Sequence, residues 1–182
     1  MSAAELLSML NTRSPDLKML PPGFGALSTI DVAHALAKVD GEGARLIGRV
    51  LYAQQDARMF DLMKVLYNKL AAEAHYKRWK NTTPLWKAAG VAVDLYCYPE
   101  RCIQCQGIGE RRWGARVVVC SRCKGNTWEP LRDARFAKKI GVSAAAFNTT
   151  WSKRLRFAYD LLAEMDRDCI KGLSRALADN AP

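Results

Sequence analysis

The sequence predicts a mainly α fold: a helical domain with an inserted, small zinc-ribbon-like β hairpin built on four cysteines, followed by a helix-turn-helix and a long C-terminal helix. Three observations predict it. Apolar residues recur at helical spacing through most of residues 28–99 and again over 147–177. Between these regions lie two pairs of cysteines, Cys102-Ile-Gln-Cys105 and Cys120-Ser-Arg-Cys123, separated by fourteen residues. A Gly141-Val142-Ser143 turn then divides a short basic segment from the last apolar stripe.

Residues 1–27 read as an arm. Ser2–Leu10 can form a short helix, but Pro15, Pro21, Pro22, Gly23 and Gly25 punctuate the rest. Order is expected from residue 28, where Ser28 and Thr29 suit an N-cap and Asp31 adds negative charge to the first turn. Val32, Ala35, Leu36 and Val39 mark this first helix, which ends at the Asp40–Gly43 turn. A second helix is expected over Ala44–Ala53 and a third from Asp56 to about Tyr76. Asn81-Thr82-Thr83-Pro84 starts a fourth, with Pro84 as its first helical residue, and Pro99 stops it. The texture changes over 100–129, where β-prone Arg116–Val119 lies between the cysteine pairs and Trp113-Gly114 falls near a hairpin tip. Over 130–178, Leu131–Ile140 forms a short helix. Phe147, Trp151, Leu155, Tyr159, Leu162, Met165, Cys169, Ile170, Leu173 and Leu177 then trace one stripe along a long helix or two nearly collinear ones. Residues 28–178 are expected to form one compact domain.

Charge is concentrated. The chain carries +10, yet residues 1–100 hold 12 basic and 10 acidic side chains, residues 161–182 hold 3 and 4, and residues 101–160 hold 13 and 4. A 60-residue stretch of +9 points to a polyanion partner, although a solvated basic face kept for solubility has the same composition. No run reaches the roughly 18 apolar residues of a membrane span. The start MSAAELLSML lacks the basic and apolar parts of a signal peptide. The expected location is the cytoplasm, with no membrane partner.

Cys102, Cys105, Cys120 and Cys123 are the expected ligands of one structural Zn²⁺. Two residues between cysteines let both sulfurs reach one tetrahedral ion. Gly107, Gly109 and Gly125 follow the pairs and permit the tight turns that wrap a metal. Disulfides do not suit a cytoplasmic chain, a redox pair has no need of duplication, and an iron–sulfur cluster stays as a minor alternative. Four thiolates leave no open coordination position, so catalytic zinc is not expected. Cys97 and Cys169 fall on helices and read as buried thiols. His34 and His75 lie on helices far from the cysteines and are not taken as ligands.

The segment Asp133–Ser143 has the arrangement of a DNA-binding helix-turn-helix. Ala137 is small where two helices approach, Gly141 takes the turn, Val142 plugs the pair and Ser143 caps the second helix. Thr150, with Trp151 beside it, stands where such motifs usually carry an aliphatic residue, which weakens the match. At 100° per residue, Phe147, Trp151 and Leu155 are buried, and Ala145, Thr149, Ser152, Lys153 and Arg156 face away. Asn148 and Arg154 flank that face, and Lys138 and Lys139 are placed for phosphates. These nine residues are the candidate contacts to double-stranded DNA; the alternative is an ordinary solvated helix face.

Several of these residues also carry a family resemblance. Arg101-Cys-x-x-Cys-x-Gly-x-Gly109, Trp113-Gly114, Arg116-Val117-Val118 and Cys120-x-Arg122-Cys123-Lys124-Gly125 resemble the antitermination Q proteins of lambda-like phages. The likeness continues through Thr150-Trp151-Ser152 and Tyr159-Asp160-x-Leu162, extends back through Leu95-Tyr96-Cys97, and covers roughly Thr82–Leu162. Asn126 departs from it, standing where a second glycine would complete the second knuckle. The CxxCxGxG knuckle alone is shared with the cysteine-rich domain of DnaJ chaperones. The resemblance implies a late-gene transcription antitermination factor that is not an enzyme. Such a protein binds promoter-proximal DNA, engages bacterial RNA polymerase through the beta flap and sigma region 4, and lets elongation pass terminators. The helical N-terminal half is where polymerase contacts are expected. Two other functions fit the residues: a DNA-binding regulator acting only at initiation, and a DnaJ-like protein-interaction module.

Overall fold

The structure, a computed structural model, describes residues 29–53, 55–113, 116–128, 130 and 135–178. The expected arm, the Ser28 cap, Gly114 and the start of the short helix at Leu131 lie outside the described residues.

Among the described residues the fold is mainly helical, with a two-stranded antiparallel sheet. Helices α1 (Thr29–Ala37), α2 (Glu42–Leu51), α3 (Met59–Tyr76) and α4 (Leu85–Cys97) precede strands β1 (Glu110–Trp113) and β2 (Arg116–Val119). Helix α5 (Arg135–Ile140), the single turn α6 (Ala144–Ala146), a π turn (Phe147–Trp151) and α7 (Ser152–Ala178) follow.

The element boundaries depart from expectation for local reasons. Helix α2 begins two residues early, with Glu42 in its first turn, where a negative charge meets the positive end of the helix dipole. It ends two residues early because the amides of Tyr52 and Ala53 both turn to the Gly48 carbonyl, at 2.8 and 3.2 Å. A 3-10 turn, Asp56–Arg58, precedes α3. Pro84 caps α4 instead of opening it, a one-residue difference.

The described residues form two compact units, one from those up to Leu66 and from Leu161 onward, the other Tyr67–Asp160. In the first, α1, α2 and the later part of α7 meet through small residues. Gly43 lies against Met165, Gly48 against Leu36 and Cys169, and Gly172 against Val39. A Cβ on Gly48 would overlap both Leu36 Cδ2 and Cys169 Sγ, so close helix approach fixes this glycine. The Tyr52 hydroxyl donates to Asp166 Oδ1 at 2.7 Å.

In the second unit α4 is buried nearly all round, through Leu85, Ala88, Ala89, Val91, Ala92, Val93, Leu95 and Cys97. Helix α5 packs on α4 and buries Phe136, Ala137 and Ile140. Phe147, Trp151 and Leu155 are buried too. Each such side chain contributes about 1.5–3 kcal/mol relative to exposure. Cys97 and Cys169 are both buried thiols, as their helical positions predict.

Candidate metal centre and basic helix face

Cys102, Cys105, Cys120 and Cys123 come together as the spacing predicts. Their sulfurs all lie within 4.8 Å of one another, and all four side chains are buried. The Sγ atoms of Cys102 and Cys120 are 3.9 Å apart, and those of Cys105 and Cys123 are 3.7 Å apart. Disulfide sulfurs sit at about 2.05 Å, and all four cysteines are free. A tetrahedral ion with bonds of about 2.3 Å separates its sulfurs by about 3.8 Å, so the donor set fits a zinc-sized cation.

The two knuckles are one motif repeated at a fixed offset. Gln106 and Gly107 take φ 53° and 86°; Lys124 and Gly125 take φ 54° and 89°. The repeat extends to Gly109 at φ 82° and Thr127 at φ 67°. The counterpart of Gly109 is therefore Thr127, not Asn126, the position at which the family resemblance expects a second glycine. Gly109 admits no side chain, since a Cβ there would sit 2.9 Å from the Gly125 carbonyl oxygen. Thr127 keeps the turn despite its β-branch, a strained conformation, while its carbonyl accepts from the Cys102 amide at 2.8 Å.

Backbone amides tune the thiols. Desolvation raises Cys105, but N–H groups of Gly109 and Gly107 outweigh it and bring the thiol down to about 6. The Gly109 amide is 3.2 Å from Cys105 Sγ. The backbone N–H of Cys123 is the main influence lowering Cys120. Burial pushes Cys123 up to about 11. A bound cation holds all four as thiolates and releases their protons. Gln104, inside the first pair, lies close to this centre: its Oε1 accepts from Cys120 Sγ at 3.5 Å and from Ser121 Oγ at 3.3 Å. Once Cys120 is a thiolate, the amide must turn to offer its NH₂. Nothing in the CxxC spacing singles out this residue.

The hairpin between the pairs has the register Glu110↔Val119, Arg111↔Val118, Arg112↔Val117 and Trp113↔Arg116. The Cys120 amide extends the ladder by donating to the Gly109 carbonyl at 2.8 Å. An isolated bridge, Arg101↔Trp128, closes the unit at its base.

After the hairpin, the expected turn is present. Gly141 takes φ 83°, and the amides of Gly141 and Val142 donate to the Ala137 carbonyl at 2.9 and 3.0 Å. Ser143 Oγ accepts from the Ala146 amide at 3.2 Å, as an N-cap should. Lys138, Ala145, Asn148, Thr149, Lys153 and Arg156 are exposed, and Ser152 is half-buried. Lys139 is also exposed, but its Nζ pairs with Glu100 at 2.8 Å.

Two features were not legible at 100° per residue. The first is the π turn, in which the Ser152 amide donates to the Phe147 carbonyl, five residues back. The wider turn leaves Asn148, Thr149 and Thr150 all exposed and Trp151 buried, so Thr150 joins the accessible face. Thr149 Oγ1 donates to the Ala145 carbonyl at 2.9 Å, and Ser152 Oγ to that of Asn148 at 3.2 Å. The second is Arg154. Its guanidinium donates to the carbonyls of Lys80 and Asn81, at 2.9 and 3.0 Å. It also lies 4.7 Å from the ring centroids of both Trp79 and Trp151. The structure thus turns Arg154 toward the α3–α4 loop.

No protein-family model, curated protein or solved structure matches the chain. No described helix is long and apolar enough to cross a membrane.

Proposed function

We propose that this chain is a DNA-binding transcription antitermination factor of the phage Q type, holding one structural Zn²⁺ on Cys102, Cys105, Cys120 and Cys123. The observation that carries the DNA-binding part is the exposed series Ala145, Thr149, Lys153 and Arg156 on a Ser143-capped helix, after a glycine turn and an exposed Lys138. This is the layout of a helix-turn-helix whose second helix enters the major groove: a small residue at the start, hydroxyls next, cations last. The π turn answers the one mismatch in that pattern. Thr150 occupies the position of the usual aliphatic plug, and one extra residue in the turn lets Trp151 fill the core in its place.

The metal's role in this reading is architectural. Four thiolates leave no coordination position for a substrate, and ion binding orders a segment too short to build its own core. The chain is a binding protein, not an enzyme. RNA polymerase, through its beta flap and sigma region 4, enters as a partner from the family resemblance.

Run-off transcription across a terminator on a cognate late promoter tests the reading. Addition of the protein should raise read-through. A footprint on promoter DNA with no rise in read-through would leave a regulator of initiation; absence of both would remove the DNA-based reading.

A further inference from the structure

Among the described residues, no strand covers the outer edge of β2. Val117, Val118 and Val119 are 60, 43 and 63% exposed, in a protein that buries most of its other described aliphatic side chains. The ladder settles which backbone groups point outward. Bonded and non-bonded pairs alternate along an antiparallel ladder. The Cys120 amide bonds to the Gly109 carbonyl, and those two residues stand opposite each other by continuation of the register. Arg111↔Val118 and Trp113↔Arg116 are therefore bonded pairs, and Glu110↔Val119 and Arg112↔Val117 are not. The N–H and C=O groups of Val117 and Val119 point away from β1, and among the described residues no strand pairs with them.

The two edges of the hairpin differ. On β1 the outward backbone belongs to Glu110 and Arg112, charged side chains of the kind that discourage strand addition. On β2 it belongs to two exposed valines. The neighbouring charge is cationic: Arg116 precedes the valines, and Arg111 and Arg112 stand across from Val118 and Val117. Against these three arginines the hairpin has the single carboxylate of Glu110.

We infer that the β2 edge of the four-cysteine unit is a docking site for an extended, acidic protein segment, which adds to the hairpin as a third strand. Main-chain bonds to Val117 and Val119 hold the added strand. Apolar side chains on one face of it cover Val117 and Val119, and carboxylates on its other face lie on the side of Arg111 and Arg116. A second copy of this chain brings its own arginines to the same edge, so charge disfavours self-pairing.

The test uses the full zinc-loaded chain and two synthetic peptides, one alternating valine with glutamate and one alternating valine with lysine. Hydrogen exchange on the chain alone should find the Val118 amide protected and those of Val117 and Val119 fast; the glutamate peptide should protect the latter two. Val117→Pro removes an outward N–H and no β1–β2 bond, and should weaken glutamate-peptide binding at least about tenfold, the effect of losing one backbone bond and blocking close approach. Continued protection of Val118 in that variant reports an intact hairpin. Val117→Glu keeps the N–H, and should narrow the preference for the glutamate peptide over the lysine peptide. The inference is overturned if Val117 and Val119 are protected without peptide, if both peptides bind equally or neither binds, or if the chain dimerises through this edge. It also falls if Val117→Pro weakens duplex DNA binding in place of peptide binding.

Discussion

The guanidinium of Arg154 lies 4.7 Å from the ring centroid of Trp79. It is one of three contacts by which a single side chain of α7 braces the loop between α3 and α4. Arg78 and Asn81 in that loop take φ 49° and 54°, conformations that cost free energy unless the surroundings hold them. Arg154 donates to the carbonyls of Lys80 and Asn81 and stacks on Trp151 as well.

Arg154→Ala should therefore lower folding stability by about 1.5–3 kcal/mol, the range for hydrogen bonds involving a charged group. Urea denaturation measures it. Arg154→Lys should recover little, since an ammonium cannot reproduce the planar, two-pronged arrangement. A variant as stable as the parent would show that the loop holds itself.

Lys153 and Arg156 are exposed and make no such contacts to the loop. Lys153→Ala and Arg156→Ala should leave stability within about 0.5 kcal/mol. Each should weaken DNA binding and reduce the slope of log affinity against log salt by about 1 if it neutralises one phosphate. Thr149→Ala should chiefly change sequence preference. Unchanged footprints and salt slopes in all three variants would place the DNA surface elsewhere.

Cys120→Ser should abolish stoichiometric metal binding, because three thiolates and a hydroxyl are a poorer set for zinc than four thiolates. The variant, or the parent treated with chelator, should lose order in residues 100–129 and bind DNA more weakly. Metal analysis, amide exchange and a binding titration read the three effects separately. If stripping the metal leaves DNA affinity intact, the hairpin does not position the basic face.

Cys169 provides a pH test distant in sequence from the metal ligands. Burial, with Asp166 nearby, pushes its thiol up from an ordinary 9.0 to about 12. The folded form keeps this proton where the unfolded form loses it. Its contribution to stability is thus complete below about pH 9 and is lost progressively as pH rises toward about 12. Urea midpoints of the parent should fall across that window, and Cys169→Ala should fall less steeply. In the folded parent at neutral pH, Cys169 should resist thiol reagents.

Much of the metal centre was legible in the residues themselves. Two cysteines with two residues between them can share one ion, so a four-sulfur centre followed from the duplicated spacing of Cys102, Cys105, Cys120 and Cys123. The apolar stripe was legible too: Phe147, Trp151, Leu155, Leu162, Met165, Cys169 and Leu173 are all buried. Ala137, Gly141 and Ser143 take the packing, turn and cap roles their types suggest.

Other features depended on packing. A count at 100° per residue places Trp151 in the core but not the π turn through which it enters, with Asn148, Thr149 and Thr150 exposed together. No local propensity announces that turn. Arg154 reads as one more cation on a basic helix, because its partners Trp79, Lys80 and Asn81 are more than seventy residues away in sequence. The sequence by itself determined which short-range ligands and which apolar stripe the chain carries, since both depend on spacing along the backbone. Only the tertiary structure decided which of the candidate cations are turned into the fold, which turn stretches to seat a tryptophan, and which edge of the hairpin no described strand covers, since those depend on what distant residues bring alongside.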